Sequence, residues 1–435
     1  MHRRSFVKGM GLAAFSASLH AAPRWKPLSF KGIETRNTAR NLIFVFLDGG
    51  PSHVDTFDLK TASYTPSSLG ATTLANGLKW PSGIMPELAQ LSDKFAILRS
   101  VTAIEAVHER ATYHMLTSHR QNAAAMVDVP HFSSVLSYFF ESSRKPTDSL
   151  PSSIWIGPNP AKNGLFSTDH LGLQLSQNGQ VRNLTHRQDG LDERLSLVDQ
   201  LRVAGNGGSD VRQDHYRFQD QARDMMADPT LNALIDGEDD NYGGDRRNQG
   251  FLGQAEMAVR VLEADRGTRV IQLQSGGWDH HNQIYQVLPN LARDFDRGMA
   301  YLLRELDSRP ARYQQGSLLD ETLVVAVGEF GRTTGRLNNA SGRDHYPYVV
   351  PALIGGGGVR TNVAIGGTNA DGSSIVDPGW SFNRYMTISD LFATIYSALG
   401  VDYTTTFQDT PSGRLFELTP AETAGSVNEI DSLFA

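Results

Sequence analysis

Apolar runs along the chain lead into polar loops, and helical stripes fill the gaps between them. Asn41-Leu-Ile-Phe-Val-Phe-Leu47 stops at Asp48-Gly49-Gly50, and Phe95–Leu98 is a second such run. Val270–Leu273 leads to Ser275-Gly276-Gly277, and Leu323–Val327 leads to Gly328-Glu329. A strand that is apolar at every position is buried on both faces, so each run predicts an interior strand feeding a turn. Gln254–Glu263 has helical spacing, as does the stripe Leu291, Phe295, Met299, Leu302, Leu303 and Leu306. Strands alternating with helices predict an α/β protein with a largely parallel, buried sheet. Tyr348–Ile354 is also apolar, but Pro351 cannot donate to a ladder, so this segment is expected at an edge or in a loop. Residues 167–248, rich in Gln, Asn, Asp, Arg and Gly, are expected to form an insertion or covering layer with some helix, not a second catalytic domain.

The N-terminus adds an address. Arg3-Arg4-Ser5-Phe6-Val7-Lys8 precedes a short uncharged stretch rich in Gly, Ala and Ser, then His20-Ala21-Ala22-Pro23. That stretch is too short and too weakly apolar to anchor a chain in a bilayer, and the Arg-Arg-x-Phe-x-Lys order resembles a twin-arginine export signal. The expected organisation is therefore a leader over 1–22 and a polar lead-in over 23–40. The main domain follows over 41–405, with its insertion at 167–248, and then a C-terminal tail over 406–435. The expected location is periplasmic or extracellular, with the twin-arginine machinery as a partner and no stable membrane anchor. The 435 residues include no cysteine, which excludes disulfides, thiolate metal ligands and a thiol nucleophile. Any metal must be held by His, Asp, Glu or neutral oxygen. Net charge is −7, and losing Arg3, Arg4 and Lys8 with the leader makes it −10, which argues against nucleic acid as a partner.

The candidate chemistry collects in short clusters past the ends of predicted strands, where open α/β sheets bind ligands. The first is Asp48-Gly49-Gly50-Pro51-Ser52-His53-Val54-Asp55, whose Asp48 is either a loop cap or a metal ligand. In Gly276-Gly277-Trp278-Asp279-His280-His281, a glycine turn brings a carboxylate and two imidazoles together, a donor set suited to Zn, Mn or Fe rather than Ca or Mg. Glu329 and His345, with Asp344 beside it, are further candidate ligands, and Arg332 or Arg343 could clamp an anionic oxygen. A solvated polar turn and surface ion pairs are the competing structural readings. Ser308-Arg309-Pro310-Ala311-Arg312 matches a sulfatase formylglycine pattern by letter but lies at the end of a helix, far along the chain from where that nucleophile belongs. The Gly355–Gly358 run lacks the Lys of a phosphate loop.

The series LDGGPSHVDTFD, HERATYHMLTS, GGWDHHNQ, GEFGRTTGRLNNASGRDHYP and ISDLFATIYSALGV, in this order from Asn41 to Val401, resembles the domain-of-unknown-function 1501 family. These are twin-arginine-exported members of the alkaline phosphatase and sulfatase superfamily. The resemblance implies an alkaline-phosphatase-like, mixed, mostly parallel sheet flanked by helices on both faces, with one or two divalent ions at the strand ends. It places Asp48, Asp279, His281, Glu329, Asp344 and His345 as metal ligands. It puts His108 in the position of a Ser or Thr nucleophile, where a histidine could accept a phosphoryl group, bind metal, act as a base or merely cap its helix. Thr112 and Ser52 are the hydroxyl alternatives, with water activated by the metal as the remaining one. The implied activity is hydrolysis of a phosphate or sulfate ester of a small molecule or carbohydrate. The rival is a non-catalytic metal-binding module serving in surface polysaccharide handling.

Overall fold

The computed structural model describes residues 27–28, 32–157 and 250–434, apart from residues 127, 409, 411, 412, 423 and 424, together with short stretches between 173 and 229. The leader over 1–22 and most of the expected insertion lie outside the described residues.

Eight strands form one sheet. In chain order they are β1 (Asn41–Asp48), β2 (Phe95–Leu98), β3 (Ser153–Ile156), β4 (Leu173–Leu175), β5 (Val270–Gly276), β6 (Thr322–Val327), β7 (Ala352–Gly355) and β8 (Val363–Ile365). Their spatial order is β8-β2-β7-β6-β1-β5-β3-β4. All neighbouring pairs are parallel except those of β7, which is antiparallel to both β2 and β6. The sheet is therefore mixed and mostly parallel. Its central trio β6-β1-β5 is made of the apolar runs that end at Val327, Asp48 and Gly276.

The period-two alternation of β1 sorts its side chains into two cores. Ile43, Val45 and Leu47 face α3 (Gly250–Ala264) and α4 (Ile284–Ser308), packing with Phe251, Ala255, Phe295, Met299 and Leu302. Leu42, Phe44 and Phe46 face the opposite way. They pack with Leu116 of α1 (His108–Thr117), Phe132 and Leu136 of α2 (Phe132–Phe140) and Phe392 of α5 (Ile388–Ala398). Helices thus cover both faces. Each fully buried Leu, Phe or Ile contributes about 1.5–3 kcal/mol relative to exposure, so register is strongly specified: a one-residue slip would exchange the two cores. At α5 a capping box closes the N-terminus, with Thr387 and Asp390 each bonding the other's backbone.

One expectation is corrected here. The Tyr348–Ile354 segment forms neither an edge strand nor a loop throughout, because β7 is an interior strand. Pro351 sits just before its first residue, where no ladder bond is required of it. In the segment after 405, Phe407, Phe416, Leu418, Ile430, Leu433 and Phe434 are buried in the core of α1, α2 and α5. Among the described residues, no helix is long and apolar enough to cross a membrane.

Candidate metal centre

Because β6, β1 and β5 are adjacent and parallel, the loops leaving their C-terminal ends converge. The turn after β1 is drawn tight against the turn after β5, with the Trp278 N–H donating to the Asp48 carbonyl at 3.1 Å. Gly49 adopts φ +108°, and a Cβ there would lie 2.5 Å from the Asp279 nitrogen, so only glycine permits this approach. His345 is carried by a two-residue strand, His345–Tyr346, paired with Gly331–Arg332. His108 opens α1 immediately after the extended Val107.

These loops bring His108, Asp279, His281 and His345 together, with one donor atom from each lying within 4.8 Å of all the others. The Asp279 Oδ1 is the hub: it lies 3.3 Å from His108 Nε2, 3.0 Å from His281 Nε2 and 3.4 Å from His345 Nε2. The two nitrogens His281 Nε2 and His345 Nε2 are 2.9 Å apart. A tetrahedral ion bound at about 2.05 Å sets its donors roughly 3.3 Å from one another, close to these spacings.

The outer nitrogen of each imidazole is pinned by an oxygen. His345 Nδ1 lies 2.7 Å from the Ala106 carbonyl, which can only accept, so Nδ1 carries the proton and Nε2 is left bare. His281 Nδ1 meets Asp344 Oδ1 at 2.8 Å, and His108 Nδ1 meets Glu329 Oε1 at 2.7 Å. With their protons on Nδ1, all three rings turn lone pairs inward, the outer-partner arrangement of histidines that ligate metals. Bare nitrogens 2.9 Å apart repel unless a proton or cation lies between them. His108 Nε2 is moreover buried with no hydrogen-bond partner. The residues therefore fit a divalent ion, and three nitrogens with one carboxylate oxygen suit Zn, Mn or Fe.

Electrostatics agree with this arrangement. Burial works against ionisation of Asp279, but the hydrogen bond and charge of Arg332, with His108 and His281, outweigh it and hold its pKa at about 2. Asp344 is also held below the usual carboxylate range, chiefly by its hydrogen bond to His281. His108 is raised above its ordinary value, first by the Glu329 hydrogen bond, while burial raises Glu329 itself. This pair consequently holds one proton firmly between its two heteroatoms. Burial lowers His345, which favours the neutral ring a metal requires.

Asp279, His281 and His345 of the expected ligands join this cluster, while Asp48, Glu329 and Asp344 lie outside it. Glu329 is fully buried and takes the Gly49 N–H at 3.0 and 3.2 Å as well as His108, so it orients a ring rather than donating to the cluster. Asp48, half-buried at the end of β1, accepts from Gln274 Nε2 at 2.6 Å. His108, for which metal binding was one of the expected roles, stands among the donors. His280, next to His281 in sequence, turns into the protein, where burial lowers its pKa.

The two arginines are also used differently from the expectation. Arg332 is fully buried, donating to the carbonyls of Gly49, Gly50 and Arg343 and to Asp279 Oδ1 at 2.6 Å. Arg343 donates to Asp55 at 2.6 Å and to the carbonyls of Thr333 and Gly335, with both members of the ion pair almost wholly buried. Neither guanidinium is left to clamp an anionic substrate oxygen. The Ser52 hydroxyl donates to Asp55 at 2.6 Å, and Thr112 is half-buried one helical turn beyond His108. Asp55 and the Ala106 carbonyl are the parts of the site that sequence reasoning missed. A backbone oxygen leaves no side-chain signal, and Asp55 gains its role only through a partner 288 residues away.

Known proteins with related structures were found at low identity. A protein of the alkaline phosphatase superfamily from Vibrio parahaemolyticus shares 12% identity over 92% of this chain and 73% of its own, with a TM-score of 0.41. The C-terminal periplasmic domain of EcEptC from Escherichia coli, solved in complex with Zn, shares 10% over 94% of this chain and 96% of its own, with a TM-score of 0.43. A phosphonate monoester hydrolase from Silicibacter pomeroyi shares 10% over 83% and 73%, with a TM-score of 0.38. No curated protein matches the chain. A family described as a protein of unknown function, DUF1501, matches residues 39–430, a span that takes in every residue of the cluster and its supports, and the chain belongs to this family.

Proposed function

We propose that this chain is an exported, metal-dependent hydrolase of phosphate or sulfate esters. The observation that carries the reading is the convergence of three imidazole Nε2 atoms on Asp279 Oδ1, each ring pinned at Nδ1. Bound there, a divalent ion would polarise an ester oxygen and acidify water. The chain's own groups hold and orient: Glu329, Asp344 and the Ala106 carbonyl keep the Nδ1 protons in place, and Arg332 fixes the Asp279 carboxylate. Asp48, at the end of β1, has one oxygen held by Gln274. Thr112 supplies the chain's hydroxyl nearest to His108 along the helix, and water is the alternative attacking group. Thr112→Val separates them, since loss of turnover with metal retained would assign the hydroxyl.

The test is turnover of a panel of phosphate and sulfate mono- and diesters by metal-loaded protein, with metal-free Asp279→Ala as reference. Release of phosphate or sulfate by the first alone supports the reading. One observation favours a second reading, a non-catalytic metal-binding module: Arg332 and Arg343 are both consumed internally. A stably loaded protein that turns over no ester on the panel would establish that module. Export through the twin-arginine route is part of the proposal, and replacing Arg3 and Arg4 by lysine is expected to leave the precursor in the cytoplasm.

A further inference from the structure

A cleft of about 600 Å³ opens beside the edge of the sheet, lined by Asp377, Trp380, Phe382, Asn383, Asp431 and Ser432. It shares no lining residue with the metal centre. The loop carrying it packs on the end of β8, where a Cβ on Gly379 would meet the Gly366 nitrogen at 2.1 Å. β8 lies three strand spacings from β6, roughly 14 Å at ~4.8 Å each.

The walls are held in place by their own bonds. The Trp380 indole N–H donates to the Arg384 carbonyl at 2.7 Å, and Asp431 accepts from both the backbone and the hydroxyl of Ser381. Asp377 accepts the Gly379 N–H at 3.0 Å. Binding there needs little ordering of the protein. Yet the fixed walls present apolar surface to water. The Trp380 and Phe382 rings lie 4.9 Å apart, Phe382 is 38% exposed, and neighbouring Val376 and Tyr385 are 65% and 45% exposed.

The charges narrow the occupant. Carboxylates of Asp377 and Asp431 face the cleft and repel anions. A cation is disfavoured too, because Arg384 already lies 4.7 Å from the Trp380 ring centre and 5.9 Å from that of Phe382, fixed by two bonds to Asp390. What remains is a neutral molecule with an apolar face for the rings and several hydroxyls to donate to carboxylate and amide oxygens. The cleft is open to solvent rather than enclosing, which suits one unit of a longer chain better than a small buried ligand.

We propose that this cleft binds a neutral sugar unit of an oligo- or polysaccharide, stacked on Phe382 and Trp380 and hydrogen-bonded by Asp377, Asn383 and Asp431. The proposal does not rest on the hydrolase reading, since it concerns binding at a separate place. The test is calorimetric titration of the full chain with maltohexaose, cellohexaose, laminarihexaose, xylohexaose and chitohexaose at up to millimolar concentration. The expected result is binding of at least one of them. Phe382→Ala should weaken it about tenfold or more, Phe382→Tyr should preserve it, and Asp377→Asn should weaken it less, with metal content unchanged throughout. Absence of binding by all five would overturn the proposal. So would binding that is indifferent to Phe382→Ala and Asp377→Asn, or binding abolished by removal of the metal.

Discussion

Replacing Glu329 by glutamine isolates the role of an outer partner. The Glu329 carboxylate is fully buried and accepts from two directions, His108 Nδ1 at 2.7 Å and the Gly49 N–H at 3.0 and 3.2 Å. An amide of the same shape has one accepting oxygen. Oε1 serves both donors, so an amide oxygen there keeps the His108 bond but sets NH2 3.2 Å from the Gly49 nitrogen, donor against donor. The opposite flip turns NH2 on His108. In both, the charge facing the His108 ring is lost and the outer partner is weakened. Removing an outer partner of a ligating histidine costs about 10–100-fold in metal affinity, or roughly 1.4–2.7 kcal/mol. Glu329→Gln is therefore expected to bind Zn²⁺ about 10–100-fold more weakly than the unaltered chain, measured by competition with a chromophoric chelator at fixed pH. Melting of the metal-free forms shows whether the variant is folded. Unchanged affinity in a folded variant, alongside loss of binding in His281→Ala, would refute the assignment of His108 as a ligand oriented by Glu329.

Metal binding is expected to weaken as pH falls. The Glu329 hydrogen bond raises His108 above its ordinary value of 6.5, so an ion must displace a proton from that ring over a wider acid range, and chelator competition across pH follows the loss. The same raised pKa gives the metal-free protein a stabilising contribution that is fully present below the unfolded value and lost as pH rises through the folded one, as metal-free melting curves across this range would show. Asp55→Ala strands the buried Arg343 guanidinium and is expected to cost about 3–5 kcal/mol in urea unfolding. In Gly342→Ala the new Cβ would lie 2.0 Å from the His281 carbonyl carbon, so His281 must move, and metal content measured after purification is expected to drop sharply.

The strands that build the site were legible because each is dominated by apolar residues and runs into a glycine turn. Asn41–Asp48, Val270–Gly276 and Thr322–Val327 all extend the predicted runs by a residue or more. Ser153–Ile156 was not identified, because its three apolar residues are too short a run to show a periodicity of their own. β7 was misplaced because Pro351 argues against a central strand only when it lies inside the ladder, and here it falls one residue before it. Within the site, Asp279, His281 and His345 were readable from residue type and position. The split between donors and their outer partners was not. Glu329 and Asp48 each follow an apolar strand, and only the three-dimensional arrangement shows which oxygen faces His108 and which faces Gln274. Arg332 and Arg343 looked like anion clamps for the same reason: sequence shows a guanidinium but not the carbonyls and carboxylates it bonds.

The most direct test of the metal centre is elemental analysis of the chain purified after export in its native host, beside an Asp279→Ala, His281→Ala double variant. Near-stoichiometric Zn, Mn or Fe in the first, and none in the second, is the predicted result. A native chain that carries no metal and takes up none when Zn²⁺, Mn²⁺ or Fe²⁺ is added would contradict the account, and the converging imidazoles would then have to be held together by a shared proton alone.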